Sequence, residues 1–266
     1  IFDLLDRNES IKSNEKIKDV KLDGEVEFKD IWFAYNDDDY VLKNISFKIS
    51  KWDSVGFVGA TGSGKTSIIN LINRFYDFNK GKILIDDKNI EDYNLPSLRN
   101  NLGLVSQDVF LFSDTIYNNI LFGSENKDFK SVEEAAINAD LMRNINSFPE
   151  KFNTKIGERG ITLSGGQKQR VSIARAIIKE PKVLILDDCL SAVDTKTENI
   201  ILENLKKIMY EKTSIIISHR ISSVKLAKKI IVIDSGKIIE KGNHKSLLAN
   251  KGVYHDLYHQ QLESEK

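Results

Sequence analysis

Continuous apolar runs in the second half of the chain alternate with amphipathic stretches. Val183–Leu186 and Ile215–Ile217 are apolar at every position, and a predicted helix around 195–210 separates them. Strands that are apolar on both faces are typical of a parallel sheet with helices on each side. Further strands are predicted at 102–106 and at 230–234, the latter continuing through Ser235-Gly236 into a hairpin with 237–242. The pattern therefore predicts an α/β domain with a mainly parallel sheet.

The first half of the chain shows partly alternating strand patterns instead. Residues 25–35 and 41–49 alternate in this way around an acidic turn at 36–39, and 82–90 resembles a hairpin. We therefore predict an N-terminal antiparallel β subdomain. Between these elements, Ser54–Val58 and the stretch 67–75 predict a strand, a loop and a helix.

A helical lobe is predicted over about 108–165, where helical periodicity appears in places. A strong helix follows over 167–180 and is ended by Pro181. Residues 1–23 are interpreted as a linker that begins with the end of an amphipathic helix, and 256–266 as a C-terminal tail. The domain itself is expected to span 24–255.

Composition narrows the class of protein. Lys plus Arg and Asp plus Glu number 39 each in the 266 residues, so the formal net charge is +0 and no basic excess points to nucleic acid. The one cysteine, Cys189, excludes an intrachain disulfide. The longest apolar runs are far shorter than the roughly 20 residues that span a bilayer, so any membrane crossing is expected to come from another segment.

A glycine-rich loop between the predicted strand and helix carries the first chemical signal. Its residues match G-x-x-x-x-G-K-[ST], in which backbone N–H groups surround phosphate and the following helix adds its positive end. Lys65 would reach the β- and γ-phosphates, and the Thr66 hydroxyl would bind Mg²⁺. The predicted nucleotide-binding residues here are Gly59, Ala60, Thr61, Gly62, Ser63, Gly64, Lys65, Thr66 and Ser67.

Two carboxylates end the apolar strand at 183–188. Asp187 would hold Mg²⁺ at the open end of the sheet, although a strand-end aspartate can also simply cap the next helix. Asp188 could polarise the attacking water, and Cys189 is interpreted as a small buried residue. A second glycine-rich turn, LSGGQ at 163–167, precedes the helix at 167–180 and could form another anion site. Taken alone, it is more often a structural cap.

Taken together, these motifs resemble the nucleotide-binding domain of ABC transporters over 24–255. The phosphate loop, LSGGQ, VLILD and His219 occur in that family's order and spacing. The resemblance implies that Tyr35 stacks on adenine, that Gln107 senses the γ-phosphate and Mg²⁺, and that His219 contacts the γ-phosphate and the attacking water. It also implies that the loop 191–194, with Asp194, crosses a dimer seam, and that GERG at 157–160 contacts membrane-domain helices.

The same resemblance implies the fold, the cofactors and the partners. We expect a P-loop NTPase core with ATP and Mg²⁺ as cofactors, plus the antiparallel β subdomain and a helical signature subdomain. Two such domains would pair head to tail, so that one domain closes on ATP held by the phosphate loop of the other. The residues expected to bind in trans are Ser164, Gly165, Gly166, Gln167 and Asp194.

Three stretches resemble exporters rather than importers: 1–6, 109–123 and 157–160. Transmembrane domains would then be fused upstream of Ile1, and the domain would lie at the cytoplasmic face of a membrane as part of an integral transporter, with no nucleic-acid partner. The transported substrate is not encoded in this chain.

One position departs from the family pattern, which usually has Glu where this chain has Asp188. The shorter side chain withdraws the carboxylate by about 1.5 Å, and a misplacement of about 1 Å can cost on the order of 10²-fold in rate. A heterodimer with a Glu-bearing partner and a homodimer in which Asp suffices both remain open. Two further alternatives are a nucleotide-gated module with negligible hydrolysis and a soluble ABC protein of DNA repair or translation.

Overall fold

An antiparallel sheet forms one layer of the molecule, whose computed structural model describes residues 11–14, 17, 21–36, 39–122, 124, 128–157, 161–189 and 195–264. Its strands are β1 (Val26–Ala34), β2 (Tyr40–Ile49), β4 (Lys80–Ile85) and β5 (Lys88–Asn89). They lie in the order β2-β1-β4-β5, and every pairing is antiparallel. The predicted N-terminal antiparallel subdomain and its hairpin are therefore confirmed.

A six-stranded sheet forms the core. Its strands are β3 (Ser54–Val58), β6 (Leu102–Val105), β7 (Val183–Asp187), β8 (Thr213–Ile217), β9 (Lys229–Asp234) and β10 (Lys237–Gly242). The spatial order is β10-β9-β3-β8-β7-β6, and only the β9–β10 hairpin is antiparallel. The predicted mainly parallel sheet is confirmed because the apolar runs are buried on both faces.

The two sheets share one apolar core. Phe28 of β1 stacks on Phe47 of β2 with ring centroids 4.5 Å apart, and Phe47 meets Phe57 of β3 edge to face at 5.2 Å. Leu22, in the segment predicted as a linker, is 1% exposed and belongs to the same cluster. The packed chain therefore begins before residue 24.

Helices cover the larger sheet and form the predicted lobe. The lobe contains α3 (Ile116–Leu121), α4 (Phe129–Asn138) and α5 (Met142–Ser147), packed on the signature helix α6 (Gly165–Ile177). The remaining helices are α1 (Lys65–Ile72), α2 (Leu95–Asn100), α7 (Thr195–Met209), α8 (Ile221–Val224), α9 (His244–Ala249) and α10 (Val253–Ser264), with 3₁₀ turns at Ile90–Asp92 and Lys151–Asn153. None of the helices in the described part of the chain has the length and apolar character that a bilayer crossing requires.

Helix α6 differs from its predicted limits at both ends, and one helix was not predicted. Helix α6 begins at Gly165 rather than 167, because Ser164 and Gln167 form a capping box. It ends at Ile177 rather than 180, since Glu180 before Pro181 takes a left-handed conformation with φ 51°. Helix α10 occupies the segment predicted as a tail, and its Tyr254 is fully buried.

Candidate nucleotide site

Four neighbouring parallel strands bring the predicted site residues to one edge of the sheet. In spatial order β3, β8, β7 and β6 run side by side, and their carboxyl ends lead to Gly59, His219, Asp188 and Gln107 in turn. The crevice at the carboxyl ends of parallel strands is the usual ligand site of such sheets. The topology therefore collects motifs that lie as far apart as residues 59 and 219 in the sequence.

The phosphate loop is shaped by glycines at two points of close approach. A Cβ at Gly59 would lie 2.0 Å from the carbonyl oxygen of Ile233, and a Cβ at Gly64 would lie 2.7 Å from the side chain of Leu42. Gly64 also has a φ of 104°, which glycine adopts far more readily than other residues. A Cβ at Gly62, by contrast, would have no atom within 4 Å. The loop is therefore tightly packed at its base and open at its tip, as a phosphate cradle requires.

Lys65 is folded back onto the loop. Its Nζ donates to the carbonyl oxygens of Gly59 and Ala60 at 2.8 Å each, and to Ser63 Oγ at 3.3 Å. The side chain is 5% exposed, and this burial lowers the pKa of Lys65, while Asp187 and Asp188 oppose the shift. A buried ammonium group held at an open glycine loop is positioned to receive an anion.

Asp187 lies at the end of β7 in an environment that disfavours its ionised form. Burial raises the pKa of Asp187 to about 6, the neighbouring Asp188 carboxylate adds to this shift, and Lys65 opposes it. A divalent cation beside this carboxylate would reverse that balance, because it favours the ionised form.

We predict that Asp187→Asn stabilises the nucleotide-free chain at about pH 8 in EDTA, because it removes an ionised carboxylate that the folded state disfavours. The favourable contribution of Asp187 is fully present below its ordinary pKa of 3.8 and is lost as pH rises through about 6. Thermal unfolding followed between about pH 4 and pH 8 should show the variant's advantage only at the upper end. Equal midpoints across that range would contradict the prediction.

Asp188 is held by β8. Its N–H donates to the carbonyl oxygen of Ile217 at 2.7 Å, and its Oδ1 accepts a 2.9 Å hydrogen bond from Ser218 Oγ. The residue is 8% exposed and has a left-handed φ of 43°. Ser218 also accepts from Arg220 N–H, so the aspartate is linked to the loop that carries His219. The hydrogen bonds of Asp188 to Ile217 and to Ser218 were not predicted from the sequence, because they join segments that belong to separate strands.

The loop around His219 has two further anchors that sequence reasoning missed. Glu198 of α7 is 5% exposed and accepts hydrogen bonds from Arg220 Nη1 and, at 2.9 Å, from Ser222 Oγ. Gln261 of α10 accepts a hydrogen bond from the N–H of Ile221 and donates one to the carbonyl oxygen of His219. The His219 side chain itself is exposed. The sequence signal for Gln261 is its helical spacing from Tyr254, which places both residues on one face of a helix.

Tyr35 lies beside the phosphate loop rather than in the core. Its ring is 42% exposed and meets Tyr76 edge to face at 4.9 Å. Its hydroxyl forms a 3.0 Å hydrogen bond with Ser67 Oγ and accepts another from Asn70 Nδ2. The exposed ring is thus fixed next to the helix that begins at the phosphate loop, which is compatible with stacking on a base.

The remaining predicted residues fall into three groups. Gln107 and Thr66 are exposed near the strand ends, Gln107 just after β6 and Thr66 at the start of α1. At the signature, Ser164 N–H donates to Gln167 Oε1 at 2.9 Å and Ser164 Oγ accepts from Gln167 N–H, so these side chains are engaged as a cap while Ser164 and Gly165 face solvent. The third group lies outside the described residues: Asp194 with the rest of 191–194, residues 158–160, and the predicted helix end at 1–6.

Cys189 is buried, and burial raises the pKa of its thiol to about 12, consistent with an inert packing residue.

Comparison with known proteins agrees with the motif order. The family model described as "ABC transporter" matches residues 42–191, more than half of the chain. Two relatives from Staphylococcus aureus strains, each named provisionally as a multidrug export ATP-binding/permease protein, are 44% identical over 260 residues, which is 97% of this chain and 45% of theirs. A solved structure described as a bacterial Atm1-family ABC exporter with ATP bound matches with a TM-score of 0.93 and 37% identity, over 98% of this chain and 46% of that one.

The chain therefore belongs to the ABC transporter family. It spans about half the length of the exporters that it matches.

Proposed function

We propose that the chain is an ATP-binding and ATP-hydrolysing domain that powers export by attached transmembrane domains. The observation that carries the proposal is the arrangement of Lys65, whose buried ammonium lies inside the open glycine loop beside Asp187 and Asp188. An anion bound at the loop would replace backbone carbonyls as the partner of Lys65, and the N–H groups at the start of α1 would add to its binding.

The donor groups at the site fit Mg²⁺ shared with phosphate. Thr66 offers a hydroxyl, Gln107 an amide oxygen and Asp187 a carboxylate, and Mg²⁺ is commonly bound by one or two carboxylates together with phosphate oxygens. Within the described residues no group of three or more His, Cys, Asp or Glu side chains could hold a metal alone. When bound, Mg²⁺ would neutralise phosphate charge. Asp188 would orient or deprotonate water, and His219 would face the γ-phosphate.

Head-to-tail pairing is supported by the signature turn. Ser164 and Gly165 are exposed at the N-terminus of a thirteen-residue helix whose cap leaves the remaining first-turn N–H groups available to an anion. With Gly166, Gln167 and Asp194, this turn would close on ATP held by a second domain. Attachment to a permease is supported by the relatives' names and by the chain's covering about half of their length. The domain would then lie at the cytoplasmic face of the membrane.

The test is steady-state ATPase activity with Mg²⁺ at rising protein concentration. The rate per molecule should rise with concentration, because each site needs a second chain. Gly165→Asp should abolish this activity, because a carboxylate at the signature repels phosphate. The same carboxylate interacts favourably with the positive end of its own helix. Gly165→Ala is the matched control and should keep most activity. A concentration-independent rate that Gly165→Asp leaves intact would contradict pairing through the signature.

A further inference from the structure

The C-terminal helix α10 presents one continuous face to the domain. Residues 254, 257, 258 and 261 share that face at helical spacing. Tyr254 is fully buried, and Leu257 and Tyr258 pack on the same apolar cluster. The face therefore continues in line from apolar contacts to Gln261, near the C-terminal end of the helix.

The cluster beneath this face joins two parts of the nucleotide site. Val58, the residue before the phosphate loop, and Ile221, two residues after His219, both belong to it. Both are about 2% exposed. Helix α10 thus packs on a cluster that contains the last residue of β3 and the first residue of α8, at the edge where ATP is proposed to bind.

The carboxamide of Gln261 matches the backbone around His219 at both of its ends. Its Oε1 accepts from the N–H of Ile221 at 2.8 Å, and its Nε2 donates to the carbonyl oxygen of His219 at 2.5 Å. The backbone offers one donor and one acceptor here, and the carboxamide supplies the complementary pair from two separate atoms. The orientation of the amide is therefore determined by its partners.

Other contacts fix the opposite side of the same loop. Ser218 Oγ accepts from the Arg220 N–H, and Arg220 pairs with the buried Glu198. The His219 side chain is exposed. The backbone of residues 218–221 carries this side chain, and Gln261 supplies contacts from α10 to that backbone.

We propose that Gln261 is a positioning residue for His219, and that α10 is part of the hydrolytic assembly rather than a tail. The inference rests on the proposed function, because it assigns His219 its role at the γ-phosphate. Gln261 holds the peptide on each side of Arg220 and thereby the backbone that carries the imidazole.

The test compares Gln261→Glu with Gln260→Glu, which adds the same charge at an exposed neighbouring position. Glutamate keeps an acceptor for Ile221 but sets an oxygen against the carbonyl of His219. We expect kcat for ATP to fall about tenfold or more in Gln261→Glu while KM changes little, as for loss of one hydrogen bond and the repulsion that replaces it. Gln260→Glu should match the natural chain. Rates are measured in the natural chain and in the Asp188→Glu background, so that a slow site does not hide the effect.

A double-mutant cycle separates positioning from general damage. If Gln261 acts through His219, Gln261→Glu should have no further effect in a His219→Ala background. An equal loss with and without His219, or a Gln261→Glu chain as active as Gln260→Glu, would overturn the proposal.

A readout that does not depend on turnover distinguishes failure of the inference from failure of the proposed function. The chain has four histidines, so histidine-labelled NMR spectra are simple, and His219→Ala assigns the His219 signal. The ring signal should shift in Gln261→Glu and stay in place in Gln260→Glu. If neither background hydrolyses ATP, the proposed function is wrong. If the ring signal of His219 is also unshifted in Gln261→Glu, the positioning role is wrong as well.

Discussion

Replacing Lys65 with methionine is expected to lower Mg²⁺-dependent ATP turnover at least about 10²- to 10³-fold, the usual cost of removing one preorganised group that stabilises developing charge. Methionine keeps the length and apolar stem of lysine but removes the ammonium that now donates to Gly59, Ala60 and Ser63. Binding of ATP, measured by calorimetry, should weaken as well, because the lysine acts on the phosphates of both substrate and transition state.

Folding should survive this substitution, which makes the loss interpretable. Burial lowers the pKa of Lys65, so the folded chain disfavours its charged form, and removing the charge relieves that penalty. The thermal midpoint without nucleotide should therefore stay near that of the natural chain. Lys65→Arg should not restore turnover, because a planar guanidinium is a poor match for a site that encloses a compact ammonium.

Lys245→Met is the matched control, since Lys245 is exposed on α9 and is not part of the glycine loop. It should turn over ATP like the natural chain. A Lys65→Met chain with ordinary turnover would show that the glycine loop is not the hydrolytic site.

The parallel sheet could be predicted nearly to the residue, whereas the ends of the helices could not. Ser54–Val58 was predicted with its observed limits because an apolar run between turn residues leaves little choice. Helix α6 starts inside a glycine pair that propensity alone would exclude, since the capping box outweighs it. Helix α10 was missed because its buried face is carried by tyrosines, a leucine and Gln261, a pattern too polar to stand out.

The candidate site divides in the same way. Residues that motifs carry, such as Lys65 and Asp187, were predicted because their chemistry requires fixed spacing within one loop or strand end. Residues that support them were not, because their partners are distant in sequence. Ser218 and Asp188 are 30 positions apart, and Gln261 and His219 are 42 apart. Only the strand order β3-β8-β7 brings Ser218 and Asp188 together, and only the packing of α10 brings Gln261 to His219.

Asp188→Glu is expected to raise ATP turnover on the order of 10²-fold, because one added methylene restores about 1.5 Å of reach and misplacement of about 1 Å can cost that factor. In the natural chain the carboxylate is drawn toward β8 by Ser218 at 2.9 Å. A longer side chain extends past this contact toward the phosphate edge. Affinity for ATP should change little, since Lys65 and the loop are untouched.

The gain in rate should come with a small loss of stability. Residue 188 has a left-handed φ of 43°, which aspartate tolerates better than glutamate because its short side chain bonds locally. We expect a cost on the order of 1 kcal/mol or less in the free energy of unfolding, measured by urea denaturation. A variant that is faster and slightly less stable would indicate that the natural carboxylate is placed for folding rather than for turnover.

Asp188→Asn decides how much the natural carboxylate contributes. If the site is slow, the natural chain and Asp188→Asn should turn over equally slowly, and full activity should need a partner chain that carries glutamate at this position. Alternatively, the natural chain turns over ATP quickly, Asp188→Asn lowers that rate strongly, and Asp188→Glu does not raise it. In that case aspartate suffices, and two copies of this chain form working sites. The first outcome makes the chain one half of an unequal pair, whose intact signature turn completes the partner's site.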